Sequence, residues 1–380
     1  MSDNSYDVIV VGVGGMGSAA AFELARRGRR VLGLEQFAVG HDRGSSHGHT
    51  RIIRQAYYEH PDYVPLVRRA FARWYDLEQR LGRHLLTECA CLSVGAPDSE
   101  LIQGVRLSAR QHQLPVEDLS AADLRGRFPA FRFGEAYVGV LERSAGFLYV
   151  DECVRAHIDA ARSAGATICD NEAVRTWRAT AAGVEMETDR ARYGAAKLVL
   201  TAGPWAPRLL ADWGAPLRVM RQVVLWFGPR DAAAFRRDVF PIYIADTPDG
   251  YFYGLPMLDA NGVKIAQHYG APELAGPAEV DRTATAADER NVRRFLREHL
   301  PDADGPCNRR SVCIYTLTPD RHFILDVHPE HPNVAVAAGF SGHGFKFAPV
   351  VGEVMADLVE TGRTAHPISR FRLTRFAARE

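Results

Sequence analysis

Long hydrophobic runs, net charge and patterned cysteines are all missing from this sequence of 380 residues. No apolar stretch reaches the roughly 18 residues that a membrane-spanning helix needs, so we expect no membrane partner. The 46 lysines and arginines balance the 46 aspartates and glutamates, which excludes general electrostatic capture of nucleic acid. Six cysteines without framework spacing indicate a reducing compartment. Because a strand-like stretch begins at Tyr6 and leaves no room for a signal peptide, we expect a cytoplasmic protein.

Two familiar catalytic signatures are also absent. The sequence contains neither G-x-S-x-G nor H-E-x-x-H, which mark many serine hydrolases and zinc proteases. His47 and His49 are two positions apart, as are Cys89 and Cys91, but neither pair finds a second pair at metal-binding spacing. We therefore expect no metal site.

The first 35 residues carry the clearest positive pattern. An apolar strand at 7–11 precedes Gly12–Gly17 (GVGGMG), and residues 18–27 follow with helical apolar spacing. This is G-x-G-x-x-G between a strand and a helix, which places a pyrophosphate at the amides of a helix N-terminus. Glu35 ends the next strand, 18 residues after Gly17, where a carboxylate accepts hydrogen bonds from a ribose 2′-hydroxyl and disfavours a 2′-phosphate. The pattern predicts a dinucleotide site, for either NAD or FAD.

A second strand–loop–helix unit lies near the C-terminus. An apolar strand at 333–337 leads into the glycine-rich loop 338–347 and a helix over about 350–358. A helix N-terminus that faces the pyrimidine end of a flavin stabilises the negative charge of its reduced form. The unit therefore favours FAD, although an ordinary strand–helix turn has the same pattern.

The two ordered units stand at opposite ends of the chain, whereas residues 217–270 contain strand-like pieces broken by proline and glycine. We predict an α/β protein with a discontinuous Rossmann-like FAD-binding domain and an antiparallel-sheet (α+β) substrate domain. The predicted FAD-binding domain comprises residues 1–83, 147–216 and 320–380, and the substrate domain comprises 84–146 and 217–319.

Several cations stand in informative places. The polar loop from Arg43 to Arg54 holds three arginines, whose planar forks suit bidentate binding of a carboxylate or phosphate. Solvated charge is the alternative for each of them. Lys264 lies between Val263 and Ile265 in a predicted strand. Alternation places its side chain on the opposite face from theirs, and solvent is one environment for that face.

Four segments together resemble the monomeric sarcosine oxidase and N-methyltryptophan oxidase family of amine-oxidising flavoenzymes. They are Gly12–Gly17, the loop from Gly44 to Arg54, Val312–Thr316 and Ala338–Lys346, and the resemblance covers essentially the whole chain. It implies a two-domain monomer with FAD bound to a cysteine through a thioether. It also implies oxidation of the C–N bond of a secondary amino acid such as sarcosine. The electrons would pass to O2 to give hydrogen peroxide, and N-methyl substrates would release formaldehyde.

The resemblance also implies roles for individual residues. The catalytic group comprises Lys264, Arg51, His268 and Tyr315. The substrate-binding group comprises Arg54, Lys346 and Tyr253. The cofactor-binding group comprises Gly12, Gly14, Gly15, Met16, Gly17, Glu35, Ser45, His47, Thr50, Val174, Cys313, Gly342, His343, Gly344 and Lys346. Within these groups, Lys264 would stabilise charge on oxygen as it is reduced, and Arg54 and Lys346 would hold the substrate carboxylate.

Cys313 is the cysteine that the resemblance assigns to covalent FAD. Cys89, Cys91, Cys153 and Cys169 are better explained as small buried hydrophobic residues, and Cys307 falls in a predicted loop. We expect Arg309 or Arg310 to favour the thiolate that attachment requires. A buried inert thiol with non-covalent FAD is the alternative.

The sequence differs from the family in two places, and the second difference leaves the substrate open. His49 stands where the sarcosine enzymes have an acid, and the 254–262 stretch also departs from theirs. Sarcosine, N-methyltryptophan, pipecolate and other N-alkyl or cyclic amino acids all remain possible substrates. Two further interpretations are an NAD-dependent dehydrogenase and a non-catalytic flavin-binding subunit of an assembly. The presence of Lys264, Cys313 and Lys346 argues against the second of these.

Overall fold

The computed structural model describes residues 5–180, 182–210 and 213–376, so the outermost residues of the predicted FAD-binding domain lie outside the described part. The strands are β1 (Ser5–Val11), β2 (Val31–Leu34), β3 (Thr50–Ile53), β4 (Leu86–Glu88), β5 (Cys91–Gly95), β6 (Val116–Leu119), β7 (Val138–Glu142), β8 (Gly146–Tyr149), β9 (Thr167–Cys169), β10 (Val174–Thr180), β11 (Gly183–Thr188), β12 (Arg192–Leu200), β13 (Arg218–Phe227), β14 (Ile242–Thr247), β15 (Gly250–Leu255), β16 (Val263–His268), β17 (Glu273–Leu274), β18 (Cys307–Leu317), β19 (Ile324–Val327) and β20 (Val334–Ala338). The helices are α1 (Gly15–Arg26), α2 (Tyr63–Leu81), α3 (Glu100–His112), α4 (Ala121–Arg127), α5 (Val150–Ser163), α6 (Ala206–Leu209), α7 (Arg290–His299) and α8 (Ala348–Thr361).

The strand β1 is buried on both faces, as its continuous apolar run predicts. Val8 and Val10 pack into one hydrophobic cluster, and Ile9 and Val11 pack into another. β1 lies between β2 and β12 and runs parallel to both. Because parallel strands end at the same edge of a sheet, the turns that follow β1 and β12 lie together, and the Thr201 amide donates to the Val11 carbonyl over 2.9 Å.

The first large sheet is the predicted wound sheet. Its central strands β20, β12, β1, β2 and β9 are parallel, and β11, β10 and β19 extend it in antiparallel pairings. Residues of α1, α2, α5 and α8 share one core with this sheet. The strand–helix unit at each end of the chain thus contributes to a single layered structure, which confirms the predicted fold class.

The second large sheet has nine strands, in the order β17-β13-β16-β15-β14-β5-β7-β6, with β18 paired to β13. Nearly all its pairings are antiparallel, as predicted, but β5 and β14 pair in parallel. The chain between them, residues 96–241, is long enough to return to the same edge of the sheet, as a parallel pairing requires. Large aromatic side chains fill the core of this region, and Phe252 stacks on Phe295 of α7 at 4.4 Å between ring centroids.

A small third sheet combines β3, β8 and β4. β8 pairs with β3 on one side and β4 on the other, so the sheet contains strands from both predicted domains. β8 itself begins at Gly146 and crosses the predicted boundary between residues 146 and 147. The domain limits therefore stay a prediction. The small sheet is a place where segments of the two predicted domains pair with each other.

Two local expectations are wrong. Lys264 is 3% exposed, because β16 lies inside the sheet between β13 and β15 and the Trp226 ring packs 5.4 Å from its ammonium. Cys307 is the first residue of β18 rather than part of a loop. No helix of the described chain is long and apolar enough to cross a bilayer.

Candidate active site

One continuous cavity extends from the glycine-rich turn after β1 to an aromatic group on the second large sheet. It brings together most of the site residues predicted from sequence, although they come from segments far apart in the chain. Those that line it are Gly12, Gly14, Gly15, Met16, Glu35, Ser45, Thr50, Arg51, Arg54, Val174, Tyr253, His268, Cys313, Tyr315, Gly342, His343, Gly344 and Lys346. Three predicted residues, Gly17, His47 and Lys264, lie behind its wall.

The turn between β1 and α1 needs two of its glycines for steric reasons. Gly12 has φ of +83°, and a Cβ there would lie 2.7 Å from the Thr201 carbonyl oxygen. A Cβ on Gly17, in the first turn of α1, would lie 1.8 Å from the Gly12 carbonyl oxygen, so only glycine lets the helix pack this closely on the turn. Gly14 supplies no side-chain cap to α1, and the Gly15 amide donates to the Ser46 Oγ at 3.2 Å. The helix N-terminus that follows can bind an anion.

Glu35 is held rigidly at the end of β2. Its Oε2 accepts from the Val13 amide at 2.9 Å, and its Oε1 accepts from the Phe37 amide at 3.2 Å. The His41 Nε2 lies 3.2 Å from the same Oε1. The carboxylate therefore stands beside the glycine turn, where the sequence pattern places a ribose-binding acid.

The residues present fit FAD. The glycine turn, the N-terminus of α1 and Glu35 form a nucleotide cradle at one end of the cavity. Cys313 lines the same cavity. The buried His47, whose Nε2 has no hydrogen-bond partner among the described residues, lies behind the wall close to Cys313. The cavity thus offers polar contacts for a dinucleotide and a nucleophilic sulfur in one space.

Cys313 is a buried residue of β18 whose thiol is activated. The Arg51 Nη2 donates to its Sγ over 3.4 Å, and the Sγ itself lies 3.6 Å from the Ser45 carbonyl oxygen. Burial opposes ionisation, but the charge of Arg51, helped by His47, lowers the pKa of Cys313 to about 6. The cation responsible is therefore Arg51. The expectation from sequence, that Arg309 or Arg310 activates the thiol, is wrong. Arg310 is engaged with Glu289 at 2.8 Å, and Arg309 stacks on Trp226.

The other five cysteines, all within the described residues, behave differently. Burial raises the pKa of each of their thiols, to about 11 for Cys89 and well above its ordinary value for Cys153. None of them lines the cavity. Cys313 is thus distinguished by chemistry as well as by place.

Lys264 is held by the loop that carries Thr50. Its Nζ donates to the carbonyl oxygens of Gly48 and Thr50 at 2.8 and 2.7 Å, and lies 3.1 Å from the Thr50 Oγ1. Burial, with the charge of Arg51, lowers its pKa well below the ordinary lysine value. These three acceptors match the three N–H donors of an ammonium group. Because no donor is left for a bound molecule, the ammonium acts on the cavity by its charge and not by a hydrogen bond.

Arg54 and Lys346 are both buried at the other end of the cavity, at 3% and 5% exposure. The Arg54 Nη2 donates to both carboxylate oxygens of Glu59, at 2.9 and 2.7 Å. The Lys346 Nζ donates to the His343 carbonyl oxygen at 2.6 Å and to the Tyr57 hydroxyl at 3.2 Å. Burial opposes ionisation of Glu59, but Arg54 lowers the pKa of Glu59 to about 2. Burial, together with Arg54, lowers the pKa of Lys346 to about 7.

The wall opposite these cations is aromatic and neutral. The His268 Nδ1 lies 3.1 Å from the Tyr315 hydroxyl, and the Tyr253 ring meets His268 edge-on at 6.1 Å. Burial lowers the pKa of His268 to about 3 and raises that of Tyr315 well above its ordinary value. A group placed here therefore meets uncharged aromatic side chains, which disfavours a charged amine.

Several cavity residues were missed by the sequence analysis. Glu59 and Tyr58 line the cavity at the cation end, Gln222 lines it opposite Cys313 on the neighbouring strand, and Thr201 lines it beside Gly12. Thr201 had a usable signal, because it follows an apolar strand and precedes the glycine turn at Gly203. The other three carry no local pattern and are identified by the folded structure.

Comparison with known proteins assigns the class. The model of the family described as FAD dependent oxidoreductase matches residues 7–358. The chain is 43% identical over 379 residues to the monomeric sarcosine oxidase of Streptomyces avermitilis, with 98% of each chain covered. It is 37% identical over 373 residues to the N-methyl-L-tryptophan oxidase of Yersinia pestis, covering 98% of this chain and 99% of the other. The solved structure of NikD, an amino acid oxidase essential for nikkomycin biosynthesis, has a TM-score of 0.85 at 30% identity, with 97% of each chain covered.

The chain therefore belongs to the FAD-dependent oxidoreductase family. Within that family it is related to the sarcosine and N-methyltryptophan oxidases and is a flavin-dependent amine oxidoreductase. The resemblance inferred from the four segments is confirmed. The choice between NAD and FAD is settled in favour of FAD, and the interpretation as an NAD-dependent dehydrogenase is wrong.

Proposed function

We propose that the protein oxidises secondary amino acids, with N-methyl or cyclic amines, and uses O2 as the electron acceptor to form hydrogen peroxide. The supporting observation is the pairing of two buried cations, Arg54 and Lys346, with a neutral aromatic wall in a cavity that continues to the nucleotide cradle. FAD would supply the acceptor for the hydride that leaves the carbon bonded to the amine nitrogen, as the C–N bond becomes C=N. The name of the Streptomyces relative also supports a monomer that acts on a small amino acid.

The two cations bind the substrate carboxylate in this proposal. A carboxylate already lies on the fork of Arg54, since Glu59 accepts two hydrogen bonds from it. The ammonium of Lys346 has used two of its three donors on protein oxygens and keeps one for the substrate. The substrate carboxylate replaces Glu59 on the fork and takes this remaining donor.

The aromatic wall holds the substrate nitrogen as a neutral amine. Tyr253, His268 and Tyr315 carry no charge at neutral pH, because burial disfavours the charged forms of all three. Transfer of a secondary ammonium into such surroundings is costly, so the amine loses its proton on binding. A neutral amine has the lone pair that oxidation of the C–N bond requires.

A peroxide-coupled screen tests this function. Purified protein is mixed with sarcosine, N-methyltryptophan, pipecolate and proline, and the peroxide formed is measured. The matched control is the carboxamide of each compound, which keeps the amine and lacks the carboxylate. Peroxide from the amino acids and little from the amides supports the proposal, whereas no peroxide from any amino acid contradicts it.

We also propose that FAD is attached covalently to Cys313. The support is chemical, because Cys313 combines a cavity position with a thiol whose pKa Arg51 brings to about 6 despite burial. At neutral pH this thiol is largely the thiolate that attacks carbon. After acid precipitation we expect a yellow pellet with flavin mass on the peptide that contains Cys313. Cys307→Ala is the control variant and keeps the label, while a colourless pellet from loaded protein contradicts the attachment.

We assign Lys264 to the oxygen half-reaction. Reduction of oxygen places negative charge on it, and a fixed cation in a poorly hydrated site stabilises that charge. The burial of Lys264 and its three contacts to the Gly48–Thr50 loop fix the position of the ammonium. Arg51, two residues from His49, adds a second positive charge in the same region.

A further inference from the structure

Tyr57 contacts both cations of the proposed carboxylate site without lining the cavity. It is fully buried in the segment after β3. The Arg54 guanidinium carbon lies 4.3 Å from the centroid of its ring, and the Lys346 Nζ lies 5.1 Å from the same centroid. One aromatic ring therefore supports two like charges, which otherwise repel one another in a buried site.

The hydroxyl of Tyr57 has a defined hydrogen-bond direction. The His343 Nε2 lies 3.0 Å from the Arg321 carbonyl oxygen, and a carbonyl oxygen only accepts, so Nε2 carries the hydrogen. Burial lowers the pKa of His343 to about 4, so the ring is neutral and its Nδ1 accepts. The Tyr57 hydroxyl lies 2.7 Å from this Nδ1 and 3.1 Å from the His343 carbonyl oxygen, and it is the donor in both contacts. Its oxygen is then left to accept from the Lys346 Nζ at 3.2 Å.

The surroundings of Tyr57 prevent other arrangements. The Ser108 hydroxyl of α3 donates to the Tyr57 carbonyl oxygen over 2.5 Å. The ring packs edge-on against Phe347 at 5.3 Å and lies 4.7 Å from the ring of Tyr63. Backbone and ring are both fixed, so the positions of the two cations follow from the position of Tyr57.

We propose that Tyr57 is a positioning residue of the carboxylate site, whose ring holds Arg54 and Lys346 together and whose hydroxyl orients the Lys346 ammonium. This inference rests on the proposed function, because it concerns the same carboxylate. It adds a residue that contacts neither the cavity nor the substrate and acts through the two cations.

The hydroxyl also stabilises the charged form of Lys346. Its oxygen accepts from the ammonium, so removing it lowers the pKa of Lys346 below the value of about 7 that burial and Arg54 already impose. The positive charge is present below this pKa and is lost as pH rises through it. Carboxylate binding in Tyr57→Phe should therefore fade at a lower pH than in the parent. The titratable and charged groups that face the ammonium are Arg54, Glu59, Cys91, His268, His343 and Tyr57.

The experiment measures ligand binding to the FAD-loaded protein by the change in flavin absorbance. Propionate is the anionic probe and propionamide the neutral one, each titrated from about pH 6 to about pH 9, across the titration of Lys346. We expect Tyr57→Phe to bind propionate several-fold more weakly at neutral pH, because less of its Lys346 is charged and the remaining ammonium has lost one acceptor. Its binding midpoint moves to lower pH, and its affinity for propionamide stays that of the parent.

Tyr63→Phe is the matched control. Tyr63 is a fully buried neighbour of Tyr57, and its hydroxyl lies 3.0 Å from the His322 Nδ1 instead of a cation. This variant should keep the parent's affinity and pH midpoint for propionate. If Tyr57→Phe does not fold, Tyr57→Leu, which also removes the ring, should lose at least as much propionate affinity.

The positioning role is overturned if Tyr57→Phe binds propionate with the affinity and pH midpoint of the parent. It is also overturned if Tyr63→Phe changes both quantities as much as Tyr57→Phe does. The proposed function is tested separately by peroxide formation in the parent. If the parent oxidises no secondary amino acid, the proposed function is refuted. If Tyr57→Phe nevertheless binds propionate more weakly than that parent, the positioning role still holds.

Discussion

The two ends of the cavity are built in different ways. The nucleotide end uses mainly backbone: the turn at Gly12, the N-terminus of α1, and one carboxylate, Glu35, held by two amides. The amine end uses side chains, with buried charges at Arg54 and Lys346 facing neutral aromatic rings. The first end depends on conformation and the second on charge and hydrogen bonding, so substitutions at each should fail in different ways.

The largest effect is expected at the nucleotide end. Gly12→Ala places a Cβ 2.7 Å from the Thr201 carbonyl oxygen and forces a non-glycine residue to φ of +83°. Since the turn must move, the cradle for the pyrophosphate is lost, and we expect purified Gly12→Ala to contain essentially no FAD. Gly28→Ala is the control, because it also has positive φ but nothing lies near its Cβ. The measurement is flavin absorbance per protein, and full FAD content in Gly12→Ala would contradict the backbone account.

Lys264→Met should separate the two half-reactions. Loss of one preorganised charge typically slows a step by about 10²–10³-fold, and we expect this slowing in reoxidation of the reduced flavin. Anaerobic reduction by substrate should change little, since Lys264 does not line the cavity. Stopped-flow measurements of each half-reaction check this. Equal slowing of both would show that Lys264 supports structure or substrate binding instead.

The pH dependence of reoxidation sharpens the same point. Burial and Arg51 lower the pKa of Lys264 well below its ordinary value. The charge is present below the folded-state pKa and lost as pH rises through it. The reoxidation rate of the parent should therefore fall as pH rises, at pH values below the ordinary lysine pKa. The reoxidation rate of Lys264→Met should not show this fall. If the rate of the variant still falls with rising pH, the dependence belongs to another titrating group.

Arg54→Met tests the charge-based end. Removing one partner of a buried charged contact costs about 2–5 kcal/mol, so affinity for carboxylate ligands should fall by at least about thirtyfold. Neutral amide ligands of the same shape should bind as they do to the parent. FAD content should stay normal, in contrast to Gly12→Ala. Loss of FAD from Arg54→Met, or unchanged carboxylate affinity in loaded protein, would break the distinction between the two ends.

The smallest effect is the pH dependence of carboxylate binding in the parent. Burial and Arg54 lower the pKa of Lys346 to about 7, whereas Glu59 stays ionised with a pKa of about 2. Lys346 is positive below its pKa and neutral above it, so binding should weaken several-fold as pH rises above about 7. Ligand titrations at a series of pH values measure this, and Lys346→Met should remove the dependence.

The same contrast explains what the sequence could predict. The nucleotide end was predictable because Gly12, Gly17 and Glu35 lie within one strand–helix–strand unit, where local spacing determines geometry. The amine end needed the family resemblance, because Arg54 and Lys346 are nearly 300 residues apart and no local pattern joins them. Tyr57 and Glu59 were missed for the same reason.

Local patterns also misled at two places. Alternation in β16 suggested that solvent could cover Lys264, but neighbouring strands and Trp226 bury it. Proximity in sequence suggested Arg309 or Arg310 as the cation beside Cys313, whereas Arg51 reaches it from β3. In both cases tertiary packing decided the environment, and a single strand carries no information about what packs on it.

The central claim is tested most directly by following the flavin spectrum of the purified protein without oxygen. Addition of a secondary amino acid from the screen should bleach the oxidised flavin, and admission of air should restore it with one equivalent of hydrogen peroxide per flavin. The corresponding carboxamide should leave the spectrum nearly unchanged. A flavin that stays oxidised with every N-methyl and cyclic amino acid tested would contradict the proposed function.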